Sequence, residues 1–535
     1  MIKKAGAIIF YLVLLGCANQ MAPTGGPADK TPPVLKESNP ANNQKNYSGK
    51  TIELTFNENV QLNNAKEEIL SNPVLGKKTK YIARGKKVVI TPENELLPNT
   101  TYSFTFREGI KDITEGNAAE NLRLAFSTGP VIDSLQIQGV ITDHFKKTKA
   151  DKITVALYSS DTFDIFKHQP TYFNLTNKNG EYLIANLKAG KYFVYAFDDK
   201  NKNLKVDSQT ERFGFGSTEV DLTNKDTVNI SIYRVDARPI KVISVRNATT
   251  ISSIRFNKPV DSVQILQKRP SKKYRLSNTR NEIVADHRLN NNDSIPIRII
   301  AFDSVHQKLD STLYIKSSQL KFVNEQFKVT TTRTEYNSKS QQYEALFETN
   351  KPIQTIVHDS IKIVYDSLHQ QTIKQEEIKY DTLYNRLTIR TKLIDSLINK
   401  KETKLIFSKS SLLSNDNDSI KSISTEIRKL EAEQTSTLSI EVQPSKPNYV
   451  LELLRENDSI VKRLFNPTKH TFDYLTPGTY RIRIIIDTNK NGKWDGGNFY
   501  SKTPAEEIVF YENSEKQRDI PTRANWEVGP LVIKF

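Results

Sequence analysis

Two loops of the chain carry oxygen-bearing side chains at positions 1, 3, 5 and 9. They are Asp199, Asn201, Asn203 and Asp207 in the first loop and Asp487, Asn489, Asn491 and Asp495 in the second. Carboxylate and amide oxygens at this spacing are ligands that Ca²⁺ takes in a turn-forming loop. The pattern therefore predicts calcium binding, with no other cofactor required.

The two loops fit a calcium site unequally. Gly492 stands at position 6 of the second loop, where the sharp turn needs glycine, whereas the first loop has Leu204 there. Position 12 holds Thr210 and Asn498 instead of a bidentate glutamate. Two carboxylates and two amides carry little charge, so we expect millimolar affinity at the second loop and weaker binding at the first. The alternative is a pair of Asp/Asn-rich hairpin turns that bind nothing.

Other reactive residue types form no catalytic pattern in the sequence. The seven histidines are scattered, and none has the spacing of a helical zinc site. A Gly-x-Ser-x-Gly elbow and a phosphate-binding loop are also missing. Carboxylates are abundant, which leaves an unrecognised hydrolase as a minor alternative, but such sites need deeper scaffolds than small sandwiches offer. The sequence favours a protein that is not an enzyme.

Cys17 is the only cysteine in the sequence, and it follows an apolar run from residue 7 to residue 15. That run is too short to cross a bilayer and has the layout of a secretory signal. A lone cysteine cannot form an internal disulfide, so it needs another use. The stretch Leu14-Leu15-Gly16-Cys17 resembles a bacterial lipoprotein signal, which implies a signal peptide over 1–16 and lipid attachment at Cys17. The alternative is an ordinary signal peptide with a chance cysteine.

Residues 17–31 combine the lipidated cysteine with a Pro- and Gly-rich tether. Ala18 follows the cysteine, and in the Gram-negative lipoproteins that this segment resembles, the lack of aspartate there implies the outer membrane. The periplasmic and external faces both remain open. The net charge of +16 is scattered along the chain, as on a solvated surface. Beyond the membrane itself, envelope proteins or polysaccharide are expected partners, and nucleic acid is not.

Residues 32–129 show the alternation of apolar and polar side chains that is typical of β-strands. Ile52, Leu54 and Phe56 share one strand face, and turn-rich joints separate further short strands. The stretches Phe56-Asn57-Glu58-Asn59-Val60 and Phe126-Ser127-Thr128-Gly129 resemble the bacterial Ig-like domain of surface-layer proteins, the SbsA-type or Big class. This resemblance implies a β-sandwich over nearly the whole segment.

Residues 131–235 and 436–535 repeat one another. Residues 187–196 match residues 475–484 at a constant offset, with a glycine turn before a strand that begins with tyrosine. A repeat in fixed register indicates a repeated structural unit. Both segments resemble the prealbumin-like module that occurs as a regulatory-like domain in carboxypeptidases and in bacterial surface proteins, which implies two further β-sandwiches. Each Asp/Asn loop follows the equivalent strand of its copy.

The intervening residues contain two weaker echoes of the first segment. Ile254-Arg255-Phe256-Asn257-Lys258-Pro259-Val260 and the stretch 346–353 both match residues 54–60, so we expect Ig-like sandwiches over 236–328 and 329–435. Aspartate followed by Ser or Thr and an apolar residue predicts the entry to a strand at five places. These begin at Asp261, Asp293, Asp359, Asp381 and Asp418. Residues 421–433 lack an apolar stripe, which favours a strand and loop over a charged helix, and Trp526 is expected in a core.

The sequence thus predicts an all-β chain: a string of Ig-like and prealbumin-like sandwiches after a lipoprotein signal peptide. The expected function is a non-catalytic envelope lipoprotein that acts as a scaffold or an adhesion protein. A glycan- or peptide-binding accessory lipoprotein of an outer-membrane uptake system is the alternative, and it requires a row of exposed aromatic side chains on one sheet face.

Overall fold

The structure is a computed structural model. It describes residues 29–535 except 120, 160–163, 217, 224, 249–250, 267–273, 278, 288, 290–292, 320–325, 399–401, 416 and 431. The signal segment, Cys17 and most of the tether lie outside the described residues. Within them, almost every regular element is a strand, which confirms the all-β fold class. None of the helices described is both long and apolar enough to cross a bilayer.

The first sandwich forms because alternating side chains of its strands point into one core. Ile52 and Leu54 are fully buried, and the Phe126 ring lies 5.6 Å from that of Tyr102. Its sheets have the orders β1-β2-β6-β5 and β4-β7-β9, and β3 pairs with β8. The elements are β1 (Leu35–Asn39), β2 (Ile52–Phe56), β3 (Val60–Leu62), α1 (Ala65–Glu68), β4 (Leu70–Asn72), β5 (Lys80–Arg84), β6 (Lys87–Thr91), β7 (Thr101–Thr105), β8 (Ile110–Asp112) and β9 (Arg123–Ser127).

The second sandwich packs two sheets around a core that includes Ile137, Leu157 and Val194. One sheet has the order β13-β10-β17, with β18 also on β10, and the other has the order β12-β11-β14-β15, with β16 also on β14. The strands are β10 (Leu135–Asp143), β11 (Thr154–Tyr158), β12 (Tyr172–Leu175), β13 (Glu181–Leu187), β14 (Gly190–Phe197), β15 (Phe213–Phe215), β16 (Val220–Leu222), β17 (Lys225–Thr227) and β18 (Ile230–Ile232).

The third sandwich pairs sheet β19-β20-β23-β22 with sheet β21-β24-β25. Its strands are β19 (Val242–Asn247), β20 (Ile251–Phe256), β21 (Ser262–Leu266), β22 (Tyr274–Leu276), β23 (Glu282–Asp286), β24 (Ser294–Phe302) and β25 (Lys308–Lys316).

The fourth sandwich contains sheets β26-β27-β32-β31 and β30-β29-β33-β35, and β28 pairs with β34. Short 3₁₀ helices span His358–Ser360, Gln375–Glu377, Asp395–Leu397 and Ala432–Gln434. The strands are β26 (Val329–Asn337), β27 (Gln342–Thr349), β28 (Ile353–Ile356), β29 (Ile361–Val364), β30 (Gln370–Thr372), β31 (Ile378–Asp381), β32 (Arg386–Lys392), β33 (Lys404–Phe407), β34 (Leu412–Ser414) and β35 (Ile423–Glu426).

The fifth sandwich has the same strand order as the second. Its sheets are β39-β36-β43 and β38-β37-β40-β41, with β42 also on β40. Strand β10 pairs antiparallel with β13 and parallel with β17 and β18, and β36 pairs antiparallel with β39 and parallel with β43. The strands are β36 (Ser436–Gln443), β37 (Tyr449–Arg455), β38 (Ile460–Phe465), β39 (Lys469–Leu475), β40 (Gly478–Ile486), β41 (Ile508–Phe510), β42 (Ile520–Thr522) and β43 (Glu527–Lys534).

The motif repeated in the third and fourth sandwiches contributes a lysine ion pair in each, fully buried in the third and half-buried in the fourth. The Lys258 and Asp303 side chains are 2% and 1% exposed and pair with one another. The Lys351 ammonium lies 2.7 Å from a carboxylate oxygen of Asp418. A buried lysine without its carboxylate partner would be strongly destabilising. Each ion pair therefore holds in place the segment that directly follows β20 or β27.

Several local expectations hold and others are wrong. Strand β35 confirms the strand expected within residues 421–433, and strands begin directly after Asp261, Asp293 and the turn at Asp359. Asp381 instead ends β31 and opens a hairpin turn, because its carboxylate accepts hydrogen bonds from the next backbone amides. Asp418 precedes only an isolated bridge. Trp526 is 43% exposed, because it lies in the turn before β43.

Candidate functional site

Each Asp/Asn loop follows an equivalent strand, β14 or β40, and is closed by its first aspartate. The carboxylate of Asp487 accepts hydrogen bonds from the backbone amides of Asn491, at 3.0 Å, and Gly492, at 2.9 Å. Asp199 accepts the same two bonds in the first loop, from Asn203 at 3.0 Å and Leu204 at 2.9 Å. The first aspartate therefore stabilises the turn in both copies.

The second loop brings all four predicted residues together. The side-chain amides of Asn489 and Asn491 donate to the same carboxylate oxygen of Asp495, at 2.7 and 2.5 Å. In the first loop, Asp207 instead accepts from the backbone amide of Gln209, at 3.1 Å. The second loop is thus the more complete arrangement, with its amide N–H groups directed at the carboxylate.

Each loop also contains a glutamate that the spacing pattern of the sequence did not include. Glu211 is fully buried, and its two oxygens accept from the backbone amides of Lys200, at 3.0 Å, and Asp207, at 2.8 Å. Glu506 accepts from the equivalent amides of Thr488, at 2.7 Å, and Asp495, at 3.1 Å. Burial raises the pKa of the Glu211 carboxyl, and the neighbouring carboxylates add to the effect. Both glutamates are therefore part of the loop framework.

Spacing within the loop does not reveal these glutamates, because they stand at different distances from the loop start. Each lies two residues before the next strand, β15 or β41. Counting backward from that strand is the signal that finds them.

Calcium binding stays a prediction, because the loop oxygens already accept protein hydrogen bonds. Among the described residues, no group of three or more His, Cys, Asp or Glu side chains is placed to hold a metal ion. Binding at the second loop requires both asparagine amides to turn their oxygens toward the ion. Those two amides and two carboxylates then supply ligands of the type that Ca²⁺ takes.

Terbium luminescence tests the second loop directly, because Trp494 adjoins Asp495 and Tb³⁺ takes the same oxygen ligands as Ca²⁺. We expect tryptophan-sensitised Tb³⁺ emission that millimolar Ca²⁺ displaces. Asp495→Asn removes one of the two carboxylates and should weaken binding about tenfold. The matched control, Asp207→Asn in the first loop, should leave the emission unchanged. A chain without sensitised emission would contradict calcium binding at this loop.

Residues 494–502, which overlap the end of the second Asp/Asn loop, pack against the second sandwich and are called the docking loop here. The Phe499 ring centroid lies 5.3 Å from that of Phe166 and 5.9 Å from those of Tyr195 and Phe215. Phe213 completes this aromatic pocket at 6.2 Å. The fifth sandwich thereby inserts an aromatic side chain into a core cluster of the second.

Trp494 makes the second part of this contact. Its ring lies 4.6 Å from Phe145 and 5.5 Å from Tyr233, and the Tyr233 hydroxyl donates to the Gly496 carbonyl at 2.7 Å. His144 donates from Nε2 to the Glu506 carbonyl at 2.9 Å. Burial lowers the pKa of His144 to about 4, so this imidazole is neutral at pH 7.

Lys502 closes the docking loop over the same pocket. Its ammonium donates to the Tyr195 hydroxyl at 2.5 Å and lies 4.4 Å from the Phe499 ring centroid. Burial lowers the pKa of Lys502 to about 8. The surrounding ring faces attract the cation and so oppose that shift.

The third sandwich also contacts the docking loop. The Asn498 side-chain amide donates to the Val305 carbonyl at 2.9 Å, and the Tyr500 hydroxyl donates at 3.1 Å to the carbonyl of Ala237, in the connection between the second and third sandwiches. The five sandwiches follow one another in sequence, but they do not form an extended row in space. The fifth sandwich contacts both the second and the third.

Comparison with known proteins finds a family match for one part of the chain. Residues 29–128 match the family model of the bacterial Ig-like domain. No curated protein matches the chain.

Comparison with solved structures finds matches that include three bacterial proteins. The major pilin subunit BcpA of Bacillus cereus is 10% identical over 75% of this chain and 99% of its own, with a TM-score of 0.13. Latent PorU of Porphyromonas gingivalis is 8% identical over 53% of this chain and 35% of its own, with a TM-score of 0.20. The Bacteroides ovatus protein SGBP-B, solved with a mixed-linkage heptasaccharide, is 10% identical over 64% and 88%, with a TM-score of 0.16. Scores this low carry no functional argument, and the comparisons establish that the first sandwich is similar to bacterial Ig-like domains.

Proposed function

We propose that this chain is a non-catalytic lipoprotein of the bacterial envelope, anchored in the outer membrane through Cys17, that acts as a scaffold or adhesion protein. The observation that carries the proposal is the contact between the docking loop and the second sandwich. It turns separate sandwiches into one preformed body, which presents its surfaces to envelope proteins or polysaccharide in a fixed arrangement. The match of residues 29–128 to bacterial Ig-like domains supports a role of this kind.

Contacts at the other junctions support a body of fixed shape. Between the first two sandwiches, Asn72 exchanges two hydrogen bonds with the Phe173 backbone, at 2.8 and 2.9 Å. The Leu276 amide donates to the Leu383 carbonyl at 2.9 Å between the third and fourth. Lys462 and Glu335 pair at 3.8 Å between the fifth and fourth. Each junction thus has direct polar contacts in addition to its covalent connection.

The glycan-binding alternative required a row of exposed aromatic side chains, and the described residues do not form one. Phe465 lies on β38, whereas Trp526 precedes β43 of the opposite sheet. Tyr500 belongs to the docking loop, and Tyr314 lies on β25 of the third sandwich. These positions do not favour stacking of a neutral glycan across one sheet.

Substitution of Cys17 tests the anchor. We expect the natural chain to incorporate labelled palmitate and to sediment with membranes, whereas Cys17→Ala does neither, because no thiol remains to carry the lipid. The double variant Cys17→Ala/Thr24→Cys keeps one tether cysteine away from the cleavage site and should also stay unlabelled. A Cys17→Ala chain that still incorporates palmitate and sediments with membranes would refute the lipid anchor.

A further inference from the structure

A groove of about 1160 Å³ lies between the first and second sandwiches. One wall consists of residues 105, 107–108, 117–119 and 121–123, and the other includes β10, β13 and the turn at residues 177–179. Arg107 joins the walls, since its guanidinium pairs with Glu68 at 3.0 Å and donates to the Thr176 carbonyl at 3.3 Å. The groove is therefore a feature of the assembled pair of sandwiches.

Positive charge predominates among the groove residues. Four basic side chains that line it form no ion pair within the described part of the chain: Lys30, Arg123, Lys152 and Lys178. Of the lining carboxylates, Glu108 pairs with Lys111 at 3.6 Å and Glu181 accepts from the Asn177 amide at 3.0 Å. Asp151 and Glu181 offset two of the four cations, because an amide donor leaves the negative charge of Glu181 in place, and concave walls concentrate the remaining positive potential.

Polar and apolar residues share the rest of the lining. Asn121, Gln138 and Asn179 contribute side-chain amides, each with donor and acceptor groups. Sugar hydroxyls need both kinds of partner. Small-molecule sites are typically about 300–1,000 Å³, so a groove of this size suits several linked residues of an oligomer.

We propose that this groove binds an acidic polysaccharide. Arg123, Lys152 and Lys178 pair with the carboxylates of the ligand, and the amides bind its hydroxyls. A flat membrane surface cannot enter a concave groove. The lining also includes Leu122, Val140, Leu175 and Leu183, so an acidic peptide is the competing occupant, and polyglutamate tests it below. The proposal goes beyond the scaffold role and depends neither on the lipid anchor nor on the docking loop.

Calorimetric titration of the full-length mature chain with an oligogalacturonate tests the proposal. We expect binding that weakens with added salt, and much weaker binding of a neutral oligosaccharide of equal length. Arg123→Glu/Lys178→Glu should lower the affinity at least about tenfold, because two attractive charges become repulsive. The control Lys77→Glu/Lys78→Glu makes an equal charge change at an exposed turn outside the groove and should bind normally.

Three results would overturn this assignment: equal binding of the neutral oligosaccharide, equal losses in the groove and control variants, or equally tight binding of polyglutamate. Thermal unfolding of both variants verifies that the fold is intact. Cys17→Ala should bind the oligogalacturonate normally, so failure of the anchor and failure of the groove are distinguishable.

Discussion

Phe499→Ala is expected to release the fifth sandwich from the second. The substitution empties the aromatic pocket formed by Phe166, Tyr195, Phe213 and Phe215. Burial of a whole phenylalanine is worth about 3–5 kcal/mol. Because Phe499 is only partly buried, we expect a loss of about 3 kcal/mol from the free energy of docking. Lys502 loses the nearest ring face at the same time.

Small-angle X-ray scattering measures this release as an increase in the radius of gyration. Each sandwich should keep its own core, because the separate clusters of the second and fifth sandwiches remain intact. Trp526→Ala is the matched control, since it removes an aromatic side chain of the same sandwich that is 43% exposed and contacts Arg523. An unchanged scattering profile for Phe499→Ala would show that the docking loop does not hold the two sandwiches together.

Glu452→Ala is expected to destabilise the fifth sandwich itself by about 3–5 kcal/mol. Glu452 is fully buried on β37, and its two oxygens accept from Arg463 at 2.5 Å and Arg483 at 2.6 Å. Alanine leaves both guanidinium groups without their anion. The guanidinium of Arg483 also lies 5.8 Å from the Phe145 ring centroid of the second sandwich, so the docking contact should weaken as well.

Urea unfolding of the full chain measures the loss as an earlier transition of the fifth sandwich. Glu441→Ala provides the control, because its pair with Lys469, at 3.4 Å, is exposed and such pairs contribute about 0–1 kcal/mol. Glu452→Gln keeps the shape but removes the charge, and we expect an intermediate loss. Equal midpoints for Glu452→Ala and Glu441→Ala would contradict the stabilising role of the buried carboxylate.

Local patterns in the sequence suffice to predict the strands and the internal match. Gly190 and Gly478 both adopt positive φ, 154° and 155°, at equivalent turns, where glycine is strongly favoured. The tyrosines two residues later are both buried, and each hydroxyl donates to a backbone carbonyl four residues before it. Such features depend on neighbours along the chain, and a sequence displays them directly.

The docking contact could not be predicted in this way, because its partners are distant in sequence. Lys502 and Tyr195 are 307 residues apart, and no local pattern records that they meet. The docking loop itself is rich in Gly, Asn and aromatic residues, a composition that predicts only an ordinary turn. The expectation that Trp526 lies in a core was wrong for the same reason. Whether a large aromatic side chain is buried depends on the distant surface that packs against it.

The unequal lengths of the two Asp/Asn loops suggest how the chain came to close on itself. Ten residues lie between Asp495 and Glu506, against three between Asp207 and Glu211, and most of the extra residues belong to the docking loop. The fifth sandwich is thus the donor of this contact and the second sandwich the acceptor. Because the two surfaces differ, the pairing is head-to-tail, and one polypeptide satisfies both halves. A chain opened at this contact would expose an unused donor and an unused acceptor, and would exchange them with its neighbours into a linear polymer.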